Sequence, residues 1–218
     1  MVRLYLMGAP GTYGGATSEP WHTMRLWRQM GIEVHLVPTW AISEEWKRKS
    51  ESIGCIVHEI AGPDLILDVP GIKESIVVGM CNAEFLKCSE TLRAQGRCKL
   101  VWLNCMCWIF DREIEHYRKW GPFHRYVFQS EFQKSCLFPL LHHHGLESEA
   151  ASVIHGAFFT DDWPYAARPH VRDTEFYIGR LSRADGDKFS SNSWKIYGAI
   201  HYRLRKIRVM GWDSQKME

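Results

Sequence analysis

The sequence predicts an α/β protein built on a doubly wound parallel sheet, followed by an incomplete second α/β portion. Three observations carry this. Short apolar runs alternate with amphipathic stretches of helical length along most of the chain, the pattern of strands joined by crossover helices. A glycine-rich loop, Gly8-Ala9-Pro10-Gly11-Thr12-Tyr13-Gly14-Gly15, separates the first apolar run from the first helix. The longest run, 99–107 (KLVWLNCMC), is apolar almost throughout and suits a central strand covered on both faces.

The elements follow in order. Residues 3–9 read as a first strand, and 19–30 as a helix with Ser18 as N-cap, Pro20 in its first turn and Gly31 as its stop. Strands are expected at 33–39, 55–60 and 75–80, with a helix over 43–52 capped by Ser43. Asn82 opens a helix that ends before Gly96. After the central strand come a charged helix at 111–120, a strand at 125–129, a helix at 131–144 kinked by Pro139, and a strand at 152–154. Residues 159–173 (FTDDWPYAARPHVRD) lose periodicity and read as a linker. Beyond it lie a strand at 176–180, a helix near 193–202 and a strand at 207–210. The expected organisation is a domain over 1–158, the linker, and the first βαβ portion of a second domain over 174–218, too short to bury a core of its own.

Composition narrows the class. The 218 residues carry 27 Lys+Arg against 25 Asp+Glu, and no apolar run approaches the ~20 residues needed to span a bilayer. The amino terminus lacks the long apolar stretch of a secretory signal, so a cytoplasmic protein is expected. Seven cysteines, an odd number without an export signal, read as reduced and mostly buried thiols. Residues 194–218 hold a net +4, a solvated face or a meeting point for phosphate. No basic stripe is interleaved with exposed aromatics, so nucleic acid is not an expected partner.

The candidate site residues come from four motifs, each with a plainer reading. Glycines in the first loop let backbone amides approach an anion at the helix N-terminus, although the motif is neither GxGxxG nor a P-loop and a loop without ligand has the same composition. In Ile178-Gly179-Arg180-Leu181-Ser182-Arg183-Ala184-Asp185-Gly186-Asp187-Lys188, Arg180 and Lys188 suit a diphosphate, the alternative being solvated surface charge. His142-His143-His144 point three ways on a helix and cannot share a metal, and Cys105-Met106-Cys107 is better read as buried packing, so no metal is expected. Trp21 and Trp40 sit on the side of the sheet where ligands bind and could stack on a sugar, though core packing is the default for ten tryptophans.

In this order the motifs resemble the GT-B glycosyltransferases of the family 4 type. The glycine loop followed by HTMRLWRQMGIEVHLVP resembles that family's amino-terminal loop and helix. FQSEFQKS resembles the late strand and helix of its first domain, and VIHGAF its "IPNGVD" segment, with His155 at the Asn position. YIGRLSRADGDKFS resembles the opening of its donor-binding domain. The resemblance implies two Rossmann-like domains, a nucleotide-sugar donor and a saccharide or similar acceptor, with no cofactor or metal. It places Gly14 and Gly15 near the donor diphosphate, gives Arg180 and Lys188 the catalytic task of neutralising the leaving diphosphate, and puts Trp21 and His22 on the acceptor. Three departures stand out: a longer Arg180 to Lys188 spacing, Cys81-Asn82 where many members have a histidine, and no donor-domain segment with paired glutamates. The implied protein is a truncated glycosyltransferase, inactive alone. The alternative is a non-catalytic α/β binding module, a homo-oligomer or one completed by a separate chain.

Overall fold

The computed structural model describes residues 2–8, 15–38, 41–80, 82–162, 175–182 and 189–210. They fall into two compact units, Met1–Thr160 and Asp161–Glu218. The linker segment predicted at 159–173 lies mostly outside the described residues, which resume at Glu175.

The first unit is a seven-stranded sheet: β1 (Arg3–Met7), β2 (Glu33–Val37), β3 (Ile56–Val57), β4 (Ile76–Met80), β5 (Lys99–Leu103), β6 (Arg125–Phe128) and β7 (Ala151–Val153). Its order is β3-β2-β1-β4-β5-β6-β7, and every pairing is parallel. Five helices make five of the six crossovers, all but β3 to β4: α1 (Gly15–Gln29), α2 (Glu44–Ser52), α3 (Ala83–Ala94), α4 (Asp111–Trp120) and α5 (Glu131–His143). This is the doubly wound fold that the alternating pattern predicts. Because the order reverses at β1, its two neighbours belong to crossovers on opposite faces.

Strand alternation divides the core into two clusters. Tyr5, Met7, Val77, Trp102, Tyr126 and Phe128 pack with residues of α3, α4 and α5 on one face. Leu6, Val34, Leu36, Val78, Met80 and Leu103 pack with Trp21 and Met24 of α1 on the other. The first cluster is tightest where α3 meets β4. Phe85 lies parallel to Trp102 at 5.4 Å, and a Cβ on Gly79 would sit 2.2 Å from the Phe85 ring, so only glycine admits that approach.

Polar groups are buried in the same face. Glu113 of α4 accepts from Trp102 Nε1 at 3.1 Å and from Tyr117 Oη at 2.8 Å, and burial pushes its carboxyl up to about 7. One turn on, His116 is buried against Ser89, which donates to the Leu86 carbonyl at 2.8 Å and therefore accepts from His116 Nδ1 at 2.9 Å. Burial, with Arg93 adding to it, holds that imidazole down at about 4.

Several boundaries differ from expectation. Helix α1 begins at Gly15 rather than 19, so Ser18 lies inside it and does not cap it, and Pro20 is an interior residue. β3 is two residues long, and a 3₁₀ turn, Pro63–Asp68, follows it. β5 stops at Leu103 because Asn104 turns the chain, its Oδ1 accepting from Met106 N at 2.7 Å. Cys105 and Cys107 therefore do not share a strand face. Cys55, Cys88, Cys98, Cys107 and Cys136 are free thiols, as expected, but Cys105 is disulfide-bonded, with its partner outside the described residues. Nothing in the local spacing signals that bond.

The second unit contains β8 (Phe176–Leu181), α6 (Ser193–Gly198) and β9 (Arg205–Met210), with β8 parallel to β9 in register Phe176↔Arg205 to Leu181↔Met210.

Candidate functional site

In an open parallel sheet the connections on either side of the switch point leave in opposite directions and open a crevice beyond the carboxyl ends of the strands. Here that point lies between β1 and its neighbours β2 and β4. Helix α1 is the element that follows β1, and its second turn carries Glu19 across the carboxyl ends of three further strands. Gln129, the first residue after β6, donates from Nε2 to Glu19 Oε1. Cys105, two residues after β5, has its sulfur 3.7 Å from Glu19 Oε2. Gly156, three residues after β7, passes so close that a Cβ there would lie 3.1 Å from Glu19 Oε1. Burial raises the carboxyl above its ordinary value, and the Gln129 amide pulls it partly back.

The loops around this carboxylate are braced by buried amides. Gln133 of α5 donates from Nε2 to the carbonyls of Asn104 and Met106, at 2.6 and 2.8 Å, and accepts from Gln129 N at 2.6 Å. One side chain thereby joins the β5–α4 and β6–α5 loops. Asn104 donates to the Trp108 carbonyl at 2.8 Å and to Tyr126 Oη at 3.1 Å. His155 donates from Nδ1 to the Gln129 carbonyl at 2.9 Å, which leaves Nε2 of the neutral ring as an acceptor. The edge is thus a carboxylate with a raised proton affinity and an exposed imidazole, both tied to Gln129.

Among the residues singled out in sequence, Gly15 is the first residue of α1 at this edge. Gly14, Trp40 and Lys188 lie outside the described residues. Trp21 is 8% exposed and belongs to the core beneath α1, edge-on to Trp46 at 5.8 Å, with Lys49 Nζ 4.5 Å from its ring centre. His22 is 4% exposed, accepts from Phe159 N at 3.3 Å and has the Phe158 and Phe159 rings beside it at 5.0 and 5.9 Å. In the second unit, Arg180 lies on β8 with its guanidinium 4.7 Å from the Phe189 ring centre.

Sequence reasoning missed Glu19, Gln129 and His155 as a group. Glu19 and Gln129 are 110 residues apart, His155 lies further still from Glu19, and the three meet only through the parallel register. Their signal was positional: each lies in the segment that follows a strand. Among the described residues no three His, Cys, Asp or Glu side chains converge as a metal site, and no helix is long and apolar enough to cross a membrane.

No family model matches the chain, and no curated protein matches it in sequence. Solved structures do share its fold. Anabaena Alr3699/HepE in complex with UDP-glucose superposes with a TM-score of 0.69 at 12% identity, over 99% of this chain and 63% of that one. The same protein with UDP and glucose gives 0.64 at 12% identity over 96% and 60%. Acinetobacter baumannii MurG gives 0.50 at 12% identity over 97% and 67%. The chain thus has a GT-B-like fold, as the resemblance implied, and spans about 60% of the length of the Anabaena protein.

Proposed function

We propose that the chain is the acceptor-side domain and the beginning of the donor-side domain of a glycosyltransferase that uses a nucleotide sugar. The observation that carries this reading is the match of almost the whole chain to the fold of a protein seen with UDP-glucose. The carboxyl edge of the sheet supports it chemically. As an acceptor hydroxyl attacks the anomeric carbon and the bond to the diphosphate breaks, a proton leaves the acceptor and negative charge grows on the leaving group. Glu19, kept proton-hungry by burial, is suited to take the proton. Arg180 and Lys188 take the role of fixed cations for the diphosphate, with Gly14 and Gly15 as its backbone cradle and Trp21 and His22 on the acceptor side. Burial of Trp21 and His22 gives them the part of floor and support, beneath Arg25 and Phe159. No metal or cofactor is required.

A second reading has its own observation. The large apolar side chains Trp194, Ile196 and Met210 of the second unit are exposed, which suits a binding module completed by another chain. Isothermal titration of the chain with UDP and with GDP, beside Arg180→Ala and Glu19→Gln, separates the two. Saturable nucleotide binding that Arg180→Ala abolishes and Glu19→Gln preserves is the expected result. Binding unchanged in Arg180→Ala removes that residue from the donor site, and absence of binding by either nucleotide favours the module.

A further inference from the structure

β3 is the shortest strand of the sheet and lies at its edge, paired with β2 through Ile56 and Val57 alone. Side chains supply a second fastening. His35 Nδ1 of β2 and His58 Nε2, just after β3, are 2.7 Å apart, with ring planes within 7° and centroids 5.0 Å apart. The rings therefore lie edge to edge in one plane about a shared hydrogen bond. On its other side, His35 Nε2 is 2.8 Å from Glu33 Oε1, which also accepts from Arg3 Nε at 2.6 Å.

Proton counting follows from these contacts. A carboxylate only accepts, so His35 Nε2 carries a hydrogen. In the neutral pair His35 Nδ1 is then bare and accepts from His58 Nε2–H, and the next proton goes to His58 Nδ1. That proton leaves the bond in place and makes it charge-assisted. A further proton must take His35 Nδ1, and two imidazolium N–H groups then face each other across a hydrogen-bond distance. We propose that Glu33, His35 and His58 form a proton-counting latch on the edge strand, closed with no or one added proton and opened by the second, so that acid releases residues 56–58 from β2.

The surrounding groups set where this happens. From β1, Arg3 pairs with Glu33, and the Tyr5 ring lies 4.5 Å from that of His35 while its hydroxyl donates to the Pro70 carbonyl at 2.7 Å. Glu59, held by Lys47 of α2 at 2.5 Å, and Asp68 of the 3₁₀ turn line with His58 a cavity of about 380 Å³. Burial first, and charge on His35 second, keep the His58 imidazole below its ordinary value. When the latch opens, the edge of β2 and this cavity open together.

Histidine NMR titration of the full chain, read beside the exchange protection of the His58 amide, tests the latch. That amide donates to the Leu36 carbonyl at 2.9 Å, so it reports the strand pairing directly. The expected result is two coupled steps separated by at least about one pH unit, with protection falling about tenfold or more across the second step. In His58→Gln, whose amide still donates to His35 but does not titrate, the acid loss of protection should disappear. Independent titration of the two rings, protection that survives the second step, or an equal loss in His58→Gln would overturn the proposal.

Discussion

The two sheets of this molecule are both parallel, yet they are packed in opposite ways. In the first unit, four of the five residues of β4 and three of the four of β6 are buried, with helices on both faces. In the second, every described side chain of β8 and β9 is exposed or half-buried, although their register is regular over six residues. Parallel hydrogen bonding therefore does not by itself make a core. Burial on both faces does, and that comes from the crossover helices.

The largest test of this contrast is a pair of tryptophans. Trp102→Ala, which removes a fully buried ring and the indole donor to Glu113, should cost about 4 kcal/mol in urea unfolding. Trp194→Ala in the second unit, a ring 47% exposed, should cost under about 1 kcal/mol. Equal costs would break the comparison.

A pH series sharpens it further, because the buried face of the first unit holds two groups that titrate in opposed senses. Glu113 keeps its proton up to about 7, so its contribution is full below 4.5 and is lost as pH rises through 7. His116 stays neutral down to about 4, so its contribution is full above 6.5 and is lost as pH falls through 4. Each is worth on the order of 3 kcal/mol at the full extent of its window. Between about pH 4.5 and 6.5 the two slopes cancel, and unfolding midpoints should be nearly flat there. Glu113→Gln should leave stability that rises with pH across this range, and His116→Gln stability that falls. If both variants stay flat, these titrations are not what shapes the profile.

Smaller again is Gly79→Ala, which forces the Phe85 ring away from β4 and should cost about 1–3 kcal/mol. Smallest is Ile196→Ser on the exposed side of α6, expected within about 0.5 kcal/mol of wild type. A larger loss would mean that Ile196 is covered in solution.

How much of this was legible in sequence depends on the range of the forces involved. Strand and helix identity follows from local periodicity, so the seven strands of the first unit were readable. Ends were less so where a single side chain decides them. Asn104 ends β5 by capturing the Met106 amide, and β3 shortens because only Ile56 and Val57 find partners on β2. The carboxyl-edge cluster was not readable at all. Glu19 was placed at the start of a helix, but its meeting with Gln129, Cys105 and Gly156 depends on the order β1-β4-β5-β6-β7, which no local pattern specifies. The Trp21 case runs the other way: a tryptophan at a helix start looks available to a ligand until α2 is seen to lay Trp46 and Lys49 against it.

The order of the sheet also has a consequence in time. The switch-point strand β1 is the first of the seven to leave the ribosome, and its two sides are completed far apart. β2 arrives after 25 intervening residues, whereas 68 residues separate Met7 from Ile76, the first residue of β4. At roughly 5–20 residues per second, β1 keeps one edge unpaired for about 3–14 s, displaying Leu4, Tyr5, Leu6 and Met7 while it waits. The nascent chain is most vulnerable to association with its neighbours in that interval, and slowing translation between residues 38 and 75 should lower the yield of folded protein more than the same delay placed after residue 80.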